Sequence, residues 1–337
     1  MIVDRQLARH GLTGSGARPS STMTSVHRVA SIAFLSFASA LTATAQPGFQ
    51  AIVQNAPKLA LEATEFIIHA PHAAWALGSV SWIAADRNGL VYLLQRNQSE
   101  DAILVVDRSG RIVRSWGKGM FTKAHAIRID PLGNIWTTDA ATSMVYKFTP
   151  DGRKLMEISV DKRPPVCIDN FCGTTDLAFA PNGHIFVTDG YSNNRVLEYG
   201  ADGKKLREWG GSGTGPGQFH LPHSIRIDDK GIIYVSDREN GRIQRFDLTG
   251  KYLGEWSHLG RVYSLEIVGD ILWVVTQALE LPNTAPGWLL KLDRTSGKVL
   301  GYADVNSGHG MVALANGELI IALGPDLMAP WWYRPIR

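Results

Sequence analysis

From about residue 78 onward, short runs of β-branched and aromatic residues alternate with glycine turns. Five similar segments are DRNGLVYLLQ, DPLGNIWTTD, APNGHIFVTD, DDKGIIYVSD and LANGELIIAL, and a weaker copy is VGDILWVVTQ. In each segment one strand leads into the turn and a second strand returns, which is the pattern of a β-hairpin. No segment shows a convincing 3.6-residue apolar period, so crossover helices are not predicted.

The turn glycines recur every 38 to 50 residues, and they are Gly89, Gly133, Gly183, Gly231, Gly269 and Gly317. Each of the first five copies continues with a third strand, a second glycine turn and a fourth strand that often ends in tryptophan. Six copies of this length predict an all-β, six-bladed β-propeller with four-stranded blades. The sixth copy lacks a fourth strand, and we expect residues 58–70 to supply it and close the ring.

The first 45 residues are predicted to lie outside this fold. Residues 29–45 form an apolar stretch that follows His27 and Arg28 and ends in an A-x-A pattern. This is typical of a secretory signal peptide cleaved near Gln46, with Met23 as an alternative start and an uncleaved anchor as the alternative reading. The propeller would then occupy residues 46–337. Export to the periplasm or the medium would allow Cys167 and Cys172 to form a local disulfide.

Composition and charge narrow the possible partners. The chain has 337 residues, 45% of them hydrophobic, which excludes a disordered chain. Four arginines and one aspartate of the leader account for the whole formal charge of +3, so the remainder is neutral. A neutral body gives no reason to expect binding to nucleic acid or to an acidic membrane. No later segment is long and apolar enough to span a membrane, and we expect a monomer.

Three histidines share one position within the repeat. His125, His223 and His309 each lie eight residues before the turn glycine of copies two, four and six. Strands that start at this position line the central channel of a propeller, so three imidazoles from alternate blades should meet on the axis. Three histidines with an open fourth position are typical of catalytic zinc, although copper and nickel also bind imidazole. The alternative is three unrelated surface or core histidines.

Other reactive side chains should lie at the same end of the channel. Residues seven or eight positions after a turn glycine return to the histidine end, and they include Arg96, Tyr191 and Arg238. Two arginines beside a metal could bind a carboxylate in bidentate geometry. A tyrosine near a dication could have a lowered pKa and act as a base. The alternative for Arg238 is a structural ion pair with Asp237 or Glu239.

Three segments carry a family resemblance: TDLAFAPNGHIFVTDGYSNNRVLEY, WGGSGTGPGQFHLPHSIRID and VSDRENGRIQRFD. They resemble the lyase domain of peptidylglycine α-amidating enzymes, an NHL-type six-bladed propeller, over roughly residues 78–325. The resemblance implies cleavage of peptidyl-α-hydroxyglycine, or a related N-acyl α-hydroxyglycine with a free carboxylate, into an amide and glyoxylate. It also implies zinc on His125, His223 and His309, catalysis by Tyr191, and active-site arginines at Arg96 and Arg238.

The chain departs from this family at several positions. The family has a calcium site made of two backbone carbonyls and an aspartate that follows the third histidine. The carbonyls correspond to Ile83 and Ile127, but Gly310 stands at the aspartate position, which argues against Ca²⁺. Ser307 replaces a methionine near the third histidine, and Ser192 replaces a cysteine that follows the tyrosine.

Two other function classes remain open on the sequence. One is a non-catalytic exported propeller that binds a protein or a glycan on its top face. The other is a calcium-dependent lactonase, a class that binds its metal mainly through carboxylates and asparagine. Metal analysis and an assay for glyoxylate release separate these classes from the lyase.

Overall fold

The computed structural model describes residues 49–161, 171–191, 193–283, 285–323 and 329–336. By compactness the chain divides into two units, Met1–Thr44 and Ala45–Arg337, and every described residue belongs to the second. The signal peptide and Cys167 lie outside the described residues, so export and the Cys167–Cys172 disulfide stay predictions. Among the described residues, no helix is long and apolar enough to cross a membrane.

Within the described ranges the strands form six antiparallel four-stranded sheets, and this confirms the predicted six-bladed propeller. Blades one to three, from inner to outer strand, are β2 (Val80–Ala85), β3 (Val91–Gln95), β4 (Ile103–Val106) and β5 (Ile112–Trp116); β6 (Ala124–Ile129), β7 (Ile135–Asp139), β8 (Met144–Phe148) and β9 (Lys154–Ser159); and β10 (Leu177–Phe179), β11 (Ile185–Asp189), β12 (Arg195–Tyr199) and β13 (Lys205–Gly210).

Blades four to six follow the same order, except that the last outer strand comes from the start of the domain. They are β14 (Pro222–Ile227), β15 (Ile233–Asp237), β16 (Arg242–Phe246) and β17 (Tyr252–Trp256); β18 (Arg261–Val268), β19 (Ile271–Gln277), β20 (Gly287–Asp293) and β21 (Val299–Val305); and β22 (Met311–Ala313), β23 (Leu319–Ile321), β24 (Trp331–Pro335) and β1 (Leu61–Glu65). Strand β1 pairs antiparallel with β24, and this pairing joins the two ends of the domain.

The inner strands of neighbouring blades contact each other all the way round, including β22 with β2, so the ring is closed. The buried apolar side chains form six clusters, and each cluster lies between two adjacent blades. The two faces of every sheet are therefore covered by its neighbours. This explains why the strands have apolar residues on both faces instead of a strict alternation.

The repeated glycines form the turns of the blades, and the repeated tryptophans pack against neighbouring blades. All six turn glycines adopt a positive φ, between 57° and 87°, which glycine tolerates without steric cost. The tryptophan that ends an outer strand covers a second-turn glycine of the next blade. A methyl group on Gly297, for example, would lie 2.4 Å from the indole ring of Trp256.

The structure also contains a short helix, α1 (Phe49–Gln54), that the sequence did not predict. Its Phe49 ring packs edge-on against Trp288 at a centroid distance of 5.1 Å, and Val53 is buried. Six residues are too few for a recognisable helical period, and packing against blade five stabilises a helix this short.

Candidate metal centre and active site

The three histidines from alternate blades meet on the propeller axis. His125 and His223 lie on the inner strands β6 and β14, and His309 lies just before β22. Each side chain offers a ring nitrogen, and these atoms lie within 4.8 Å of one another. All three residues are buried. The strands therefore bring together the side chains that the repeat predicted.

Each imidazole is oriented by a carbonyl from one of the intervening blades. His125 Nδ1 donates to the Thr175 carbonyl at 2.7 Å, and His223 Nδ1 donates to the Tyr263 carbonyl at 2.6 Å. His309 Nδ1 donates to the Ser81 carbonyl at 2.9 Å. Because a carbonyl can only accept, each Nδ1 carries the proton and each Nε2 keeps its lone pair. This is how metal-binding histidines are held in zinc sites, so the donor set fits a divalent ion.

Burial keeps these imidazoles neutral. Loss of hydration lowers the pKa of His125 and His223 well below the ordinary value, and it lowers the pKa of His309 to about 3. The positive charge of Arg96 acts in the same direction on His125 and His309. Neutral imidazole is the form that binds a metal.

Tyr191 lies directly against the cluster. Its hydroxyl is 3.0 Å from His125 Nε2 and 3.3 Å from His223 Nε2. Burial raises the pKa of Tyr191, while the charges of Arg238 and Arg96 act to lower it. The lowered pKa expected from the sequence is therefore opposite to the direction set by burial. It would require the additional charge of a bound dication, which acts in the same sense as the arginines.

Arg96 enters the site from blade one and is held by two hydrogen bonds. Its Nε donates to the Ala124 carbonyl at 2.8 Å, and its Nη2 donates to Ser81 Oγ at 2.9 Å. The guanidinium carbon lies 5.7 Å from the ring centre of Phe171. These contacts fix the guanidinium at the edge of the metal centre.

Arg238 occupies a similar place on blade four, in the short 3₁₀ turn Arg238–Asn240. Its guanidinium lies 5.1 Å from the ring centre of Tyr263, and its Nη2 forms an ion pair with Glu239 at 2.7 Å. The ion pair considered from the sequence thus exists with Glu239, whereas Asp237 pairs with Arg242. Arg238 still lines the same cavity as Arg96.

These side chains surround a cavity of about 400 Å³, which is lined among others by Arg96, Tyr191, Arg238, Tyr263 and His309. The lining combines three cationic side chains, including Lys123, with the Glu239 carboxylate, aromatic rings and one edge of the histidine cluster. A cavity of this size and polarity suits a small organic anion with an apolar group. Ser307, which replaces the family methionine, also lines it.

The calcium site implied by the resemblance does not fit this structure. Ile83 and Ile127 are buried on neighbouring inner strands, but Gly310 offers no carboxylate. A methyl group placed on Gly310 would lie 2.6 Å from Cδ2 of Trp82 and 2.8 Å from the Ser81 carbonyl oxygen. The indole ring fills the space that an aspartate side chain at this position would need.

Sequence reasoning missed four residues of the site. Ser81, Thr175 and Tyr263 orient imidazoles through their carbonyls, and the Phe171 ring lies 4.5 Å from that of Tyr191. Ser81 and Thr175 had a usable signal, because they hold the histidine position of the repeat in blades one and three. Phe171 and Tyr263 had none, since aromatic residues are equally common in packed cores.

Comparisons with known proteins agree with this architecture. A family model described as a 6-bladed beta-propeller matches residues 172–265. Peptidyl-alpha-hydroxyglycine alpha-amidating lyase 2 of Drosophila melanogaster is 30% identical over 70% of this chain and 60% of its own length. The chain is an amidating-lyase-like propeller.

The peptidyl-glycine alpha-amidating monooxygenase of Mus musculus is 34% identical to this propeller over 66% of the chain. The propeller spans about a quarter of that relative, 24% of its length. A solved streptogramin B lyase superposes with a TM-score of 0.55 over 81% of this chain and 97% of its own, at 18% identity. That likeness concerns the fold alone.

Proposed function

We propose that this amidating-lyase-like propeller is a zinc-dependent lyase of peptidyl-α-hydroxyglycine or a related N-acyl α-hydroxyglycine. The substrate R–CO–NH–CH(OH)–COO⁻ would yield the amide R–CO–NH₂ and glyoxylate. The carbon–nitrogen bond breaks, the hydroxyl-bearing carbon becomes an aldehyde, and the hydroxyl proton is transferred to the leaving nitrogen. The reaction consumes no oxidant, reductant or water.

The observation that carries this proposal is the convergence of a proton-accepting group, a tri-imidazole cluster and two arginines on one cavity. Tyr191 lies within hydrogen-bonding distance of two ring nitrogens of the cluster. Arg96 and Arg238 line the same cavity. The relatives named as amidating lyases support the same class of reaction.

Each side chain has a defined task in this proposal. Arg96 and Arg238 bind the substrate carboxylate and thereby fix the orientation of the carbon–nitrogen bond. Tyr191, as phenolate, accepts the hydroxyl proton at its oxygen and returns a proton to the amide nitrogen as the bond breaks. The aromatic rings of Phe171 and Tyr263 exclude water from the carboxylate subsite.

His125, His223 and His309 would hold the zinc ion through their Nε2 atoms. A divalent ion in this position supplies Lewis acidity, which lowers the pKa of an alcohol and, through its charge, that of the nearby tyrosine. The carbonyl partners of the three Nδ1 atoms preset the ligand orientation before the ion binds.

The test is glyoxylate release from α-hydroxyhippurate by the purified zinc-loaded chain. We expect benzamide and glyoxylate in equal amounts, about one zinc per chain, and loss of both metal and activity in His223→Ala. His184→Ala is the matched control, because His184 pairs with Glu198 away from the cluster. Zinc binding without product would exclude the lyase, and absence of both zinc and product would favour the non-catalytic binding propeller.

A further inference from the structure

The histidine cluster is packed against a single buried ring, the indole of Trp82 on β2. This ring is fully buried, and its centroid lies 5.8 Å, 5.9 Å and 5.5 Å from those of His125, His223 and His309. One side chain of blade one thus contacts the ligands of three other blades. Any change in its position would be transmitted to the whole metal centre.

A buried cation accompanies the ring. The guanidinium carbon of Arg128 lies 4.7 Å from the Trp82 ring centre, a distance typical of a cation–π contact. Arg128 donates two hydrogen bonds to Asp176, at 2.8 Å and 2.6 Å, and one to Glu266 at 2.7 Å. The guanidinium of Arg128 on blade two therefore links carboxylates of blades three and five, and Arg226 on blade four pairs with the same two carboxylates.

Ile83 and Ile127 are the chain neighbours of these two residues, because Ile83 follows Trp82 and Ile127 precedes Arg128. The indole ring stands against Gly310, where an added methyl group would lie 2.6 Å and 2.7 Å from two ring atoms. The indole ring thus occupies the side-chain space of one of the three positions to which the family resemblance assigns calcium ligation. The residues that carry the ring and the guanidinium are sequence neighbours of the other two positions. Calcium binds through six to eight oxygens, and an indole supplies none.

We propose that Trp82 and Arg128 take over the role of a structural calcium ion in this chain, so that its metal centre forms without calcium. The guanidinium provides the buried positive charge that draws carboxylates of separate blades together, and its fixed planar donors suit that task. The indole fills the remaining volume and supports the three imidazoles. This inference concerns assembly of the metal centre and holds whether or not the chain is a lyase.

The first test is a calcium titration of the full chain, stripped of metal ions by chelating resin and reloaded with one equivalent of zinc. We expect the melting temperature to stay constant, to within about 1 °C, up to millimolar CaCl₂, because an ion that does not bind the folded state adds no stability. Metal analysis after gel filtration should find zinc and no calcium. A saturable rise in melting temperature, or about one calcium per chain, would overturn the proposal.

The second test examines the packing of Trp82. Gly310→Ala should lower the melting temperature by roughly 5 °C, since the added methyl group overlaps the indole ring. Gly215→Ala is the control, because its added methyl group meets only the flexible Gln218 side chain, and it should leave the melting temperature unchanged. An unaltered melting temperature in Gly310→Ala would show that the ring does not fill this space and would overturn the proposal.

Discussion

The hydroxyl of Tyr191 stands between two imidazoles, so one oxygen atom contacts ligands of two different blades. Because His125 and His223 already donate from Nδ1 to carbonyls, their Nε2 atoms can accept a hydrogen bond from this hydroxyl. Burial opposes its ionisation, whereas the nearby arginines favour it. The protonation state of this residue therefore responds to any charge that enters the cluster.

Replacement of Tyr191 by phenylalanine should remove the proton acceptor and leave the metal ligands in place. We expect turnover of α-hydroxyhippurate to fall by about 10²–10⁴-fold, the usual contribution of a general base, with unchanged zinc content. Tyr252→Phe, on the outer strand β17, should retain full activity. Wild-type turnover in Tyr191→Phe would assign the proton transfer to another group.

Arg238 is tied to Glu239, yet it lines the cavity, so its substitution separates a binding role from a structural one. Arg238→Ala should lower kcat/KM roughly ten- to hundredfold on substrates with a free carboxylate, as expected for loss of a charged hydrogen bond. The corresponding methyl esters should be affected much less. Arg207→Ala on the outer strand β13 is the control. Equal losses on acid and ester would indicate that Arg238 only supports the fold.

At the scale of single residues, the repeat predicted the three clustered histidines but only part of their surroundings. The eight-residue spacing identifies His125, His223 and His309, and it also identifies Ser81 and Thr175 as their equivalents in other blades. The same spacing points to Arg261 in blade five, but the structure uses the carbonyl of Tyr263. Strands β18 and β19 are joined by a two-residue turn, because Val268 pairs with Ile271, whereas five residues separate the paired Ile227 and Ile233 in blade four. The glycine therefore comes earlier in the turn of blade five, and a spacing counted back from it falls two residues too far.

Among the strands, β1 differs from the other outer strands in how it is connected to its blade. It is the outer strand of blade six, and it pairs over five residues with β24 near the other end of the domain. Without β1, the edge of β24 would be open to solvent and to other chains. Ring closure thus depends on a strand that no hairpin connects to its blade.

A chain that begins at residue 66 should therefore be less stable than one that begins at Pro57, because both chains lack α1 and only the first lacks β1. Loss of about five hydrogen bonds at about 1 kcal/mol each should lower the melting temperature by roughly 10 °C and promote aggregation. Thermal melting and light scattering of the two chains make the comparison. Equal stability would show that β1 contributes nothing to closure.

The elements were predictable to different degrees. Central strands such as β7 and β11 are buried along their whole length and each follows a glycine turn, so their existence followed from the pattern. Strands β10 and β22 contain only three residues each, and their ends depend on contacts with neighbouring blades. Helix α1 depends entirely on such packing, which single-sequence patterns do not contain.

At the scale of the whole molecule, the three histidines that could hold a metal ion come from three blades, and their carbonyl partners come from the other three. An ion bound at the axis would contact the folded ring and have no comparable site in the unfolded chain. Metal binding and stability are therefore linked.

Removal of zinc should lower the melting temperature of the full chain, and addition of zinc should restore it. At a free zinc concentration of about 1,000 times Kd the ion contributes about 4 kcal/mol, or roughly 10 °C. His309→Ala should lose this response, and His184→Ala should keep it. A melting temperature that is insensitive to chelation would mean that the cluster binds no ion.

The ring as a whole was predictable because its repeat length and count determine a propeller. The support beneath the histidines was not, because Trp82, Arg128 and Gly310 are far apart in sequence and meet only when the ring closes. Their contacts depend on tertiary packing and leave no local signal.

Blades that supply an imidazole alternate around the axis with blades that supply the carbonyl that orients it. This alternation requires an even number of blades. A ring with an odd number of such sheets would have to place two ligand-bearing sheets side by side or leave one imidazole without its acceptor. Gain or loss of a single repeat would thus disrupt the histidine cluster even if the ring of blades still closed. Only the gain or loss of two neighbouring repeats keeps this alternation. Two neighbouring blades, one with an imidazole and one with its carbonyl acceptor, therefore form the repeating unit of this arrangement.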